Sequence, residues 1–251
     1  MTPRPYAPTV FRVQRPHELE PTVADGVERR LLVPPERGSE LALDHLRLEH
    51  GASLDLRDDV HDTLVFAYEE ERGRGGTRAG GRSTLFFPAA EPGGDLIAGD
   101  TGMTCVRATI GADTDLHAPL GAVEQVVGVD RVEPGKATGA RSFQLLHGPH
   151  NGSTRATLFV GYIPSGRAPW HYHLYDEIVW ILDGEGRLHL GDDVEELAPG
   201  CAFRLRPREV HVVENTSPDR ELAVLGVFTP AGSPSAAYLT ADIAETYAFS
   251  G

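Results

Sequence analysis

One short stretch of the chain carries four side chains of the kinds that bind metal ions. Three of them, His171, His173 and Glu177, are separated by even numbers of residues. On a β-strand, residues at even spacing project from the same face, so these three side chains are expected to point into one interior. His211 can add a fourth donor from a neighbouring strand. Three imidazoles and one carboxylate form an N/O site that suits Fe(II), Mn(II), Ni(II), Cu(II) or Zn(II).

The residues around these donors follow a defined order. A glycine precedes the His-x-His pair, a glutamate follows the pair, and a turn glycine follows the glutamate. The five positions are Gly166, His171, His173, Glu177 and Gly184. This order resembles the first sequence motif of the cupin superfamily, with the gap after the first glycine one residue shorter than usual.

A second cluster resembles the other cupin motif. Pro207, His211 and Asn215 stand in the order that this motif requires. Glu209 replaces the usual glycine, and the step from Pro207 to His211 is one residue short, which affects the shape of the turn more than the donor. The resemblance implies a jelly-roll β-barrel with a metal ion in its mouth. It does not imply one reaction, because this fold hosts many chemistries.

The whole chain predicts an all-β fold with two similar halves. Short apolar runs are broken by Gly and Pro, and residues 62–66 align with residues 176–180. We therefore predict two tandem cupin jelly-roll barrels with an irregular N-terminal arm and a short C-terminal helix, the helix indicated by a capping box at 242–245. The predicted segments are the arm over 1–35, a degenerate barrel over 36–112, a linker over 113–138, and a metal-binding barrel with its tail over 139–251.

The first barrel is expected to hold no metal. The positions that align with the first three donors of the second barrel are Arg57, Asp59 and Thr63. No histidine near Asp95 corresponds to His211. The complete motif is therefore predicted only in the C-terminal barrel.

Two features indicate that the barrels pack against each other. Residues 222–228 are apolar at both odd and even positions, which is typical of a strand covered on both faces. Trp180 has the opposite parity to the metal donors, so we expect it to pack outward, between sheets or barrels. An exposed sheet face would also allow a homodimer.

Three further side chains are candidates for catalytic roles. Tyr175 shares the parity of the donors and is a candidate hydrogen-bond donor or proton relay. Arg206 shares a face with Arg204 and is a candidate for binding an anion. Arg141, with Gln144, precedes the first strand of the second barrel and is a candidate for lining its mouth. Each has an alternative role as a structural or solvated residue.

Three other histidines are expected to be structural rather than functional. His147 and His150 belong to a Gly- and Pro-containing stretch that is typical of a loop. His61 has the wrong parity to correspond to a donor of the second barrel.

Composition excludes several partners. The formal net charge of −14 argues against binding to nucleic acid or to an anionic membrane surface. No apolar run approaches the roughly 20 residues that span a bilayer, and residues 1–20 do not resemble a signal peptide. Cys105 and Cys201 are expected to be reduced, buried thiols, which favours a cytoplasmic protein.

The site therefore predicts one divalent metal ion, with Fe(II) or Mn(II) favoured over Zn, Ni or Cu, and a small-molecule substrate. The favoured function is a non-haem dioxygenase, similar to quercetinase-like and diketone-cleaving cupins. The first alternative is a non-redox Mn or Zn enzyme, since the two-barrel layout resembles ureidoglycine aminohydrolase and the sugar isomerases of this superfamily. The second alternative is a cupin that binds a small molecule without catalysis.

Overall fold

Antiparallel strands make up almost all of the regular structure. The computed structural model describes residues 13–68, 82–89, 94–112, 118–137 and 140–239. Within these ranges the helical segments are short 3-10 turns at Pro16–Glu18, Val129–Arg131 and Pro149–Asn151. The prediction of an all-β chain is confirmed. No helix in the described ranges is long and apolar enough to cross a membrane.

The first half of the chain forms one large sheet and one small sheet. Seven strands pair in the order β1-β2-β3-β8-β5-β6-β9, and β4 pairs with β7. The strands of this half are β1 (Thr22–Ala24), β2 (Val27–Val33), β3 (Ala42–Leu48), β4 (Ser53–Asp55), β5 (Asp62–Tyr68), β6 (Ser83–Phe87), β7 (Asp95–Ile97), β8 (Met103–Ile110) and β9 (Val126–Gly128).

The second half forms a barrel from two larger sheets and a short ladder. Six strands pair in the order β10-β11-β12-β20-β15-β18, four pair in the order β13-β19-β16-β17, and β14 pairs with β21. The strands of this half are β10 (Gly135–Lys136), β11 (Ser142–His147), β12 (Thr157–Ile163), β13 (Gly166–Arg167), β14 (His171–Tyr172), β15 (Asp176–Asp183), β16 (Gly186–Leu190), β17 (Asp193–Leu197), β18 (Ala202–Leu205), β19 (Val212–Asn215), β20 (Leu222–Thr229) and β21 (Tyr238–Leu239).

Strand β15 is apolar on both faces because each face is buried in a different core. Val179 and Ile181 point into the core of the second barrel. Ile178 and Trp180 point the other way, into a second core that the two halves share. Alternation of side chains along a strand produces this division, and burial on both faces accounts for the nearly continuous apolar sequence.

The two halves are joined by this shared apolar core. Leu43 and Phe66 of the first half belong to the same cluster as Trp180 and Leu225 of the second half. The Trp180 ring lies 6.4 Å from the Phe66 ring and 5.0 Å from the Tyr68 ring, measured between centroids. The prediction that Trp180 packs outward between the barrels agrees with these contacts.

The chain before β3 is more regular than the predicted arm over 1–35. Residues 1–12 lie outside the described residues, but β1 and β2 fall within the predicted arm and join the first sheet. Strand β2 was missed because its charged run at 28–30 interrupts the apolar pattern, although Leu32 and Val33 are buried in the shared core. The arm also reaches the second half, since Gln14 and Ala202 exchange two backbone hydrogen bonds.

The predicted linker over 113–138 contributes strands to both halves. Strand β9 pairs with β6 of the first sheet, and β10 pairs with β11 of the second. The segment is therefore part of both sheets rather than a free connection. The C-terminal helix predicted at residues 242–245 lies outside the described residues.

A buried histidine contributes to the contact between the halves. His147 ends β11 and is completely buried, so the expectation of a loop residue is wrong. Its Nε2 lies 2.8 Å from Oγ1 of Thr84, and its ring lies 5.9 Å from that of Phe86. Burial, together with the nearby His150, lowers the pKa of His147 to about 4. The imidazole is therefore neutral in the folded protein at physiological pH.

We expect His147 to make the fold sensitive to acid. In the unfolded chain a histidine binds its proton near pH 6.5, whereas folded His147 binds one only near pH 4, so acid favours unfolding between these values. The free energy of unfolding should fall by about 3 kcal/mol between about pH 8 and pH 4 from this residue alone. Chemical denaturation at both pH values, in the wild type and in His147→Gln, measures the effect.

The exposed His50 supplies a matched control for this measurement. His50→Gln should retain the full pH dependence, and His147→Gln should lose about 3 kcal/mol of it. An equal pH dependence in the wild type and in His147→Gln would contradict the assignment.

Candidate metal centre

The four predicted donors meet at the wall of one cavity. His171 lies on β14, Glu177 is the second residue of β15, and His211 directly precedes β19. His173 lies in the bend between β14 and β15. Backbone hydrogen bonds of 3.3 and 2.9 Å join His171 to His211 in both directions. The donors share an interior as expected, but through two strands and a bend rather than through one continuous strand.

The three imidazole rings are oriented by the protein backbone. In each ring Nδ1 lies within hydrogen-bond distance of a carbonyl oxygen, which can only accept. Each Nδ1 must therefore carry the proton, and each Nε2 keeps a free lone pair. The three contacts are His171 with the oxygen of Pro169 at 2.9 Å, His173 with that of Tyr175 at 3.2 Å, and His211 with that of Glu209 at 2.8 Å.

The rings and the carboxylate are close together. The His211 ring lies 4.5 Å from the His171 ring and 4.9 Å from the His173 ring, between centroids. Nε2 of His173 lies 2.9 Å from Oε2 of Glu177. This Nε2 is buried and has no hydrogen-bond partner of good geometry among the described residues. Two donor atoms bound side by side to one ion stand about 3 Å apart, so this contact suits a shared cation.

Charge at the centre also suits metal binding. Burial, and then the other two imidazoles, lowers the pKa of His211 well below its usual value, which keeps the ring neutral. Burial lowers the pKa of His173 as well, but the Glu177 carboxylate outweighs burial and the net pKa is raised. A divalent ion would therefore compete with a proton for Nε2 of His173.

The donors are nevertheless not closed around a single point. In the described part of the chain, no three His, Cys, Asp or Glu side chains already form a group that could hold a metal ion. The donor types, the free Nε2 positions and the short His173–Glu177 contact fit a divalent ion. The assignment of the four residues as ligands stays a prediction.

A tight turn from the second motif orients two of the histidines. The Glu209 side chain accepts a hydrogen bond from the backbone N–H of Arg206 at 2.9 Å, while its own N–H donates to the Arg206 carbonyl at 3.0 Å. The N–H of Arg208 donates to the His173 carbonyl at 2.7 Å. Since the Glu209 carbonyl also accepts from His211, the residue that replaces the usual glycine fixes the position of a predicted ligand.

The cavity beside the donors has a volume of about 270 Å³. Its walls are mainly apolar side chains from β11, β12, β15, β18 and β20. Sequence reasoning missed these walls, because no local pattern distinguishes a cavity wall from a filled core. The apolar side chains include Phe143, Phe159, Ile163, Val179, Leu205 and Val224.

One glycine keeps the cavity next to the donors open. A Cβ at Gly226 would lie 2.3 Å from the Phe159 ring and 2.9 Å from Oε1 of Glu177. In the sequence, the isolated glycine within an apolar strand could have indicated that other side chains approach the backbone closely at this position.

Tyr175 lies where its parity predicts. It lines the cavity, and its ring stacks between those of His173 and Phe228, at centroid distances of 4.2 and 3.9 Å. Burial, followed by the Glu177 charge, raises the pKa of Tyr175. The hydroxyl therefore keeps its proton and can act as a donor rather than as a base.

The two candidate arginines have different surroundings. Arg141 lines the cavity. Arg206 does not, and its guanidinium instead forms two hydrogen bonds of 2.8 and 2.7 Å with the Glu36 carboxylate of the first half. The candidate role of Arg206 in binding an anion in the site is therefore corrected to a bridge between the halves. Gln144 is also structural, since its amide donates to the carbonyls of Val129 and Val132.

The first half carries ion pairs at the corresponding place. Asp44 on β3 is almost fully buried. Its carboxylate accepts hydrogen bonds from Arg29 at 2.7 Å and from Arg107 at 3.1 Å. Guanidinium and carboxylate groups thus occupy part of the interior of the first barrel.

The strand register shows that this place corresponds to the cavity. Strands β5 and β15 are equivalent in the sequence repeat, which aligns residues 62–66 with 176–180. Strand β8 pairs with β5 in the same register as β20 pairs with β15. By this register, Asp44 of the first barrel corresponds to Phe159 of the second, and Arg107 of the first corresponds to Gly226 of the second. The first barrel is filled with paired charge where the second is open.

We expect Glu209→Ala to weaken metal binding about tenfold, because the turn that orients His211 loses its side-chain hydrogen bond. Calorimetric titration with Mn(II) measures the effect. The control is Glu196→Ala, since Glu196 lies on the exposed strand β17 and pairs with Arg187 of β16. Equal affinities for the two variants would show that the turn does not position the ligand.

Comparison with known proteins identifies the second barrel. Residues 158–228, which include all four predicted ligands, match the family described as Cupin domain. L-ectoine synthases of Rhodococcus opacus (strain B4) and Rhodococcus jostii (strain RHA1) are each 41% identical over 63 residues, which is 24% of this chain and 46% of theirs. The match thus spans less than half the length of these curated relatives.

Solved structures resemble the chain over most of its length. A mutant oxalate decarboxylase of Bacillus subtilis superposes with a TM-score of 0.66 at 14% identity, covering 93% of this chain and 80% of that chain. The formate complex of Lactobacillus farciminis oxalate decarboxylase gives a TM-score of 0.67 at 13% identity, covering 96% and 92%. At such identities the likeness establishes the two-barrel fold alone. The second barrel therefore contains a cupin domain, and the whole chain has the two-barrel fold of these structures.

Proposed function

We propose that this protein is a metal-dependent enzyme that acts on a small organic molecule in the cavity of the second barrel. The observation that carries the proposal is the orientation of three buried imidazoles. Backbone carbonyls hold their Nδ1 atoms, so their Nε2 lone pairs are left for a cation beside Glu177. Such locked tautomers are typical of histidines that bind metals.

The residues that would hold the ion are His171, His173, Glu177 and His211. Fe(II) or Mn(II) is favoured for this N/O donor set. In support, a structure of the similar Bacillus subtilis oxalate decarboxylase is described as containing Mn(II) centres. When bound, a divalent ion supplies a Lewis acid for a substrate oxygen or, if it is redox-active, a site for dioxygen.

The chain's own residues give the substrate its surroundings. Apolar walls reduce the number of waters at the donors, which strengthens every electrostatic interaction there. Tyr175 keeps its proton because its pKa is raised, so it can donate a hydrogen bond or a proton to a developing negative charge. Arg141 adds a positive charge on the same cavity.

The cavity favours some reaction classes over others. Apart from the four predicted ligands, its described titratable lining residues are Arg141, Tyr162 and Tyr175. The described lining thus offers no spare carboxylate or imidazole as a separate general base, which disfavours a hydrolase such as ureidoglycine aminohydrolase. A dioxygenase remains our first proposal, because an apolar cavity beside an ion with open positions suits dioxygen.

A metal-dependent reaction without oxygen is the alternative. The similar solved structures are oxalate decarboxylases, and the short curated matches are L-ectoine synthases. The names of these relatives give no support for an oxygenase.

One experiment separates these proposals. Protein loaded with Fe(II) or with Mn(II) is incubated with a panel of small carboxylic acids and enolisable ketones, under air and under argon. A dioxygenase should consume dioxygen in step with product and be inactive under argon, whereas a non-redox enzyme should have equal rates in both atmospheres.

Two variants test whether the second-barrel site carries this activity. His211→Ala should abolish turnover, and His189→Ala, whose imidazole contacts Glu214 away from the cavity lining, should retain it. Turnover that survives both metal removal and His211→Ala would refute the proposal.

Self-association is a separate proposal. We propose that the protein forms a homodimer in solution, as the exposed sheet surfaces allow. Light scattering coupled to size-exclusion chromatography should give twice the chain mass of 27.1 kDa. The mass of a single chain would refute it.

A further inference from the structure

We propose, resting on the metal-dependent function above, that Arg141 anchors the carboxylate of an organic anion whose remaining body is apolar. Arg141 directly precedes β11 and lines the cavity together with the four predicted ligands. The proposal names a substrate class that neither the motif nor the fold specifies.

Among the described residues, Arg141 has no partner that would balance its charge. Its Nη2 atom is buried and has no hydrogen-bond partner in the described ranges. Glu177 is near enough to attract Arg141, but no ion-pair contact joins the two. A buried guanidinium nitrogen without an acceptor is unfavourable, and the cavity that Arg141 lines gives access to an acceptor from outside the chain.

Two other arginines of low exposure have a carboxylate within ion-pair distance. Arg107 contacts the Asp44 carboxylate. Arg204 donates to the carbonyls of Leu41 and Pro34 and lies 3.8 Å from the Asp176 carboxylate. Arg141 differs from these residues because it lines the cavity and, among the described residues, has no carboxylate within ion-pair distance.

The charge of the loaded site favours an anion. In the loaded site the three imidazoles would bind as neutral ligands, so the single charges of Glu177 and Arg141 would cancel. A divalent ion would leave a local excess of two positive charges in an apolar cavity. Because electrostatic interactions are strong in such surroundings, a carboxylate ligand would be bound much more tightly than a neutral molecule of the same shape.

The walls define the rest of the ligand. Phe143 and Phe159 supply aromatic surface, and Ile163 and Val224 supply aliphatic surface. A sugar would leave most of its hydroxyl groups without partners against such walls, which disfavours the sugar-isomerase alternative. The cavity of about 270 Å³ lies near the lower end of the range for small-molecule sites, so the anion is compact.

Benzoate and benzamide form a suitable pair of probes, because they share an apolar ring and differ in charge. Both are titrated calorimetrically into protein loaded with Mn(II), and the Mn(II) stoichiometry is measured on the same samples. The wild type should bind benzoate at least about tenfold more tightly than benzamide, as expected for a charge-assisted hydrogen bond.

Variants distinguish whether Arg141 or the metal ion binds the carboxylate. In Arg141→Gln the preference for benzoate should fall to within about threefold, with Mn(II) stoichiometry unchanged. Arg141→Lys should keep part of the preference, and Arg187→Gln, which alters an exposed pair on the outer sheet, should keep all of it. An undiminished preference in Arg141→Gln would overturn the inference, because the carboxylate would then be bound by the metal alone.

The two proposals fail in different ways. A wild type that binds Mn(II) but does not prefer benzoate would overturn the anion inference and leave the metal centre intact. A wild type that binds no Mn(II), yet prefers benzoate through Arg141, would refute the metal-dependent function and support the anchor. The wild-type preference needs no substitution, so it stands even where a variant fails to fold.

Discussion

The shared apolar core between the two halves is the contact on which the rest of the structure depends. Strands of the second barrel bury one face in their own barrel and the other against Leu43 and Phe66 of the first half. The Trp180 and Tyr68 rings, 5.0 Å apart, add aromatic contact across the join. With its outer face buried in this way, the second barrel can keep part of its inner face open as a cavity.

This arrangement gives the halves different roles. In the first barrel, Asp44 with Arg29 and Arg107 occupies the place that borders the cavity in the second. The first barrel also reaches the metal centre indirectly. Its Glu36 forms an ion pair with Arg206, whose backbone N–H donates to the Glu209 side chain. The Glu209 carbonyl in turn accepts the hydrogen bond that orients His211. A barrel that carries no metal motif therefore supports the one that does.

The sequence predicted the features that depend on local spacing. The even separation of His171, His173 and Glu177 placed the donors in one interior, and the opposite parity of Trp180 placed that ring outside. The paired barrels followed from the repeat of residues 62–66 at 176–180. The Trp180 prediction succeeded because strand alternation acts over a few residues, whereas the donors meet through two strands and a bend.

The sequence could not predict which surfaces the other half covers. Arg141 and Arg206 were equal candidates for the site, yet one lines the cavity and the other pairs with Glu36, which is 170 residues away along the chain. His147 was expected in a loop because Gly and Pro follow it, but contacts with the first half bury it completely. Both outcomes depend on long-range packing, which no local pattern contains.

Metal content per chain tests the central claim most directly. Protein purified under anaerobic conditions is assayed by elemental analysis in the wild type, in His171→Ala and His211→Ala, and in His50→Ala as an exposed control. The second-barrel site predicts one divalent ion per chain in the wild type and the control, and almost none in the other two variants. A wild type without metal, or equal metal content in all four proteins, would contradict it.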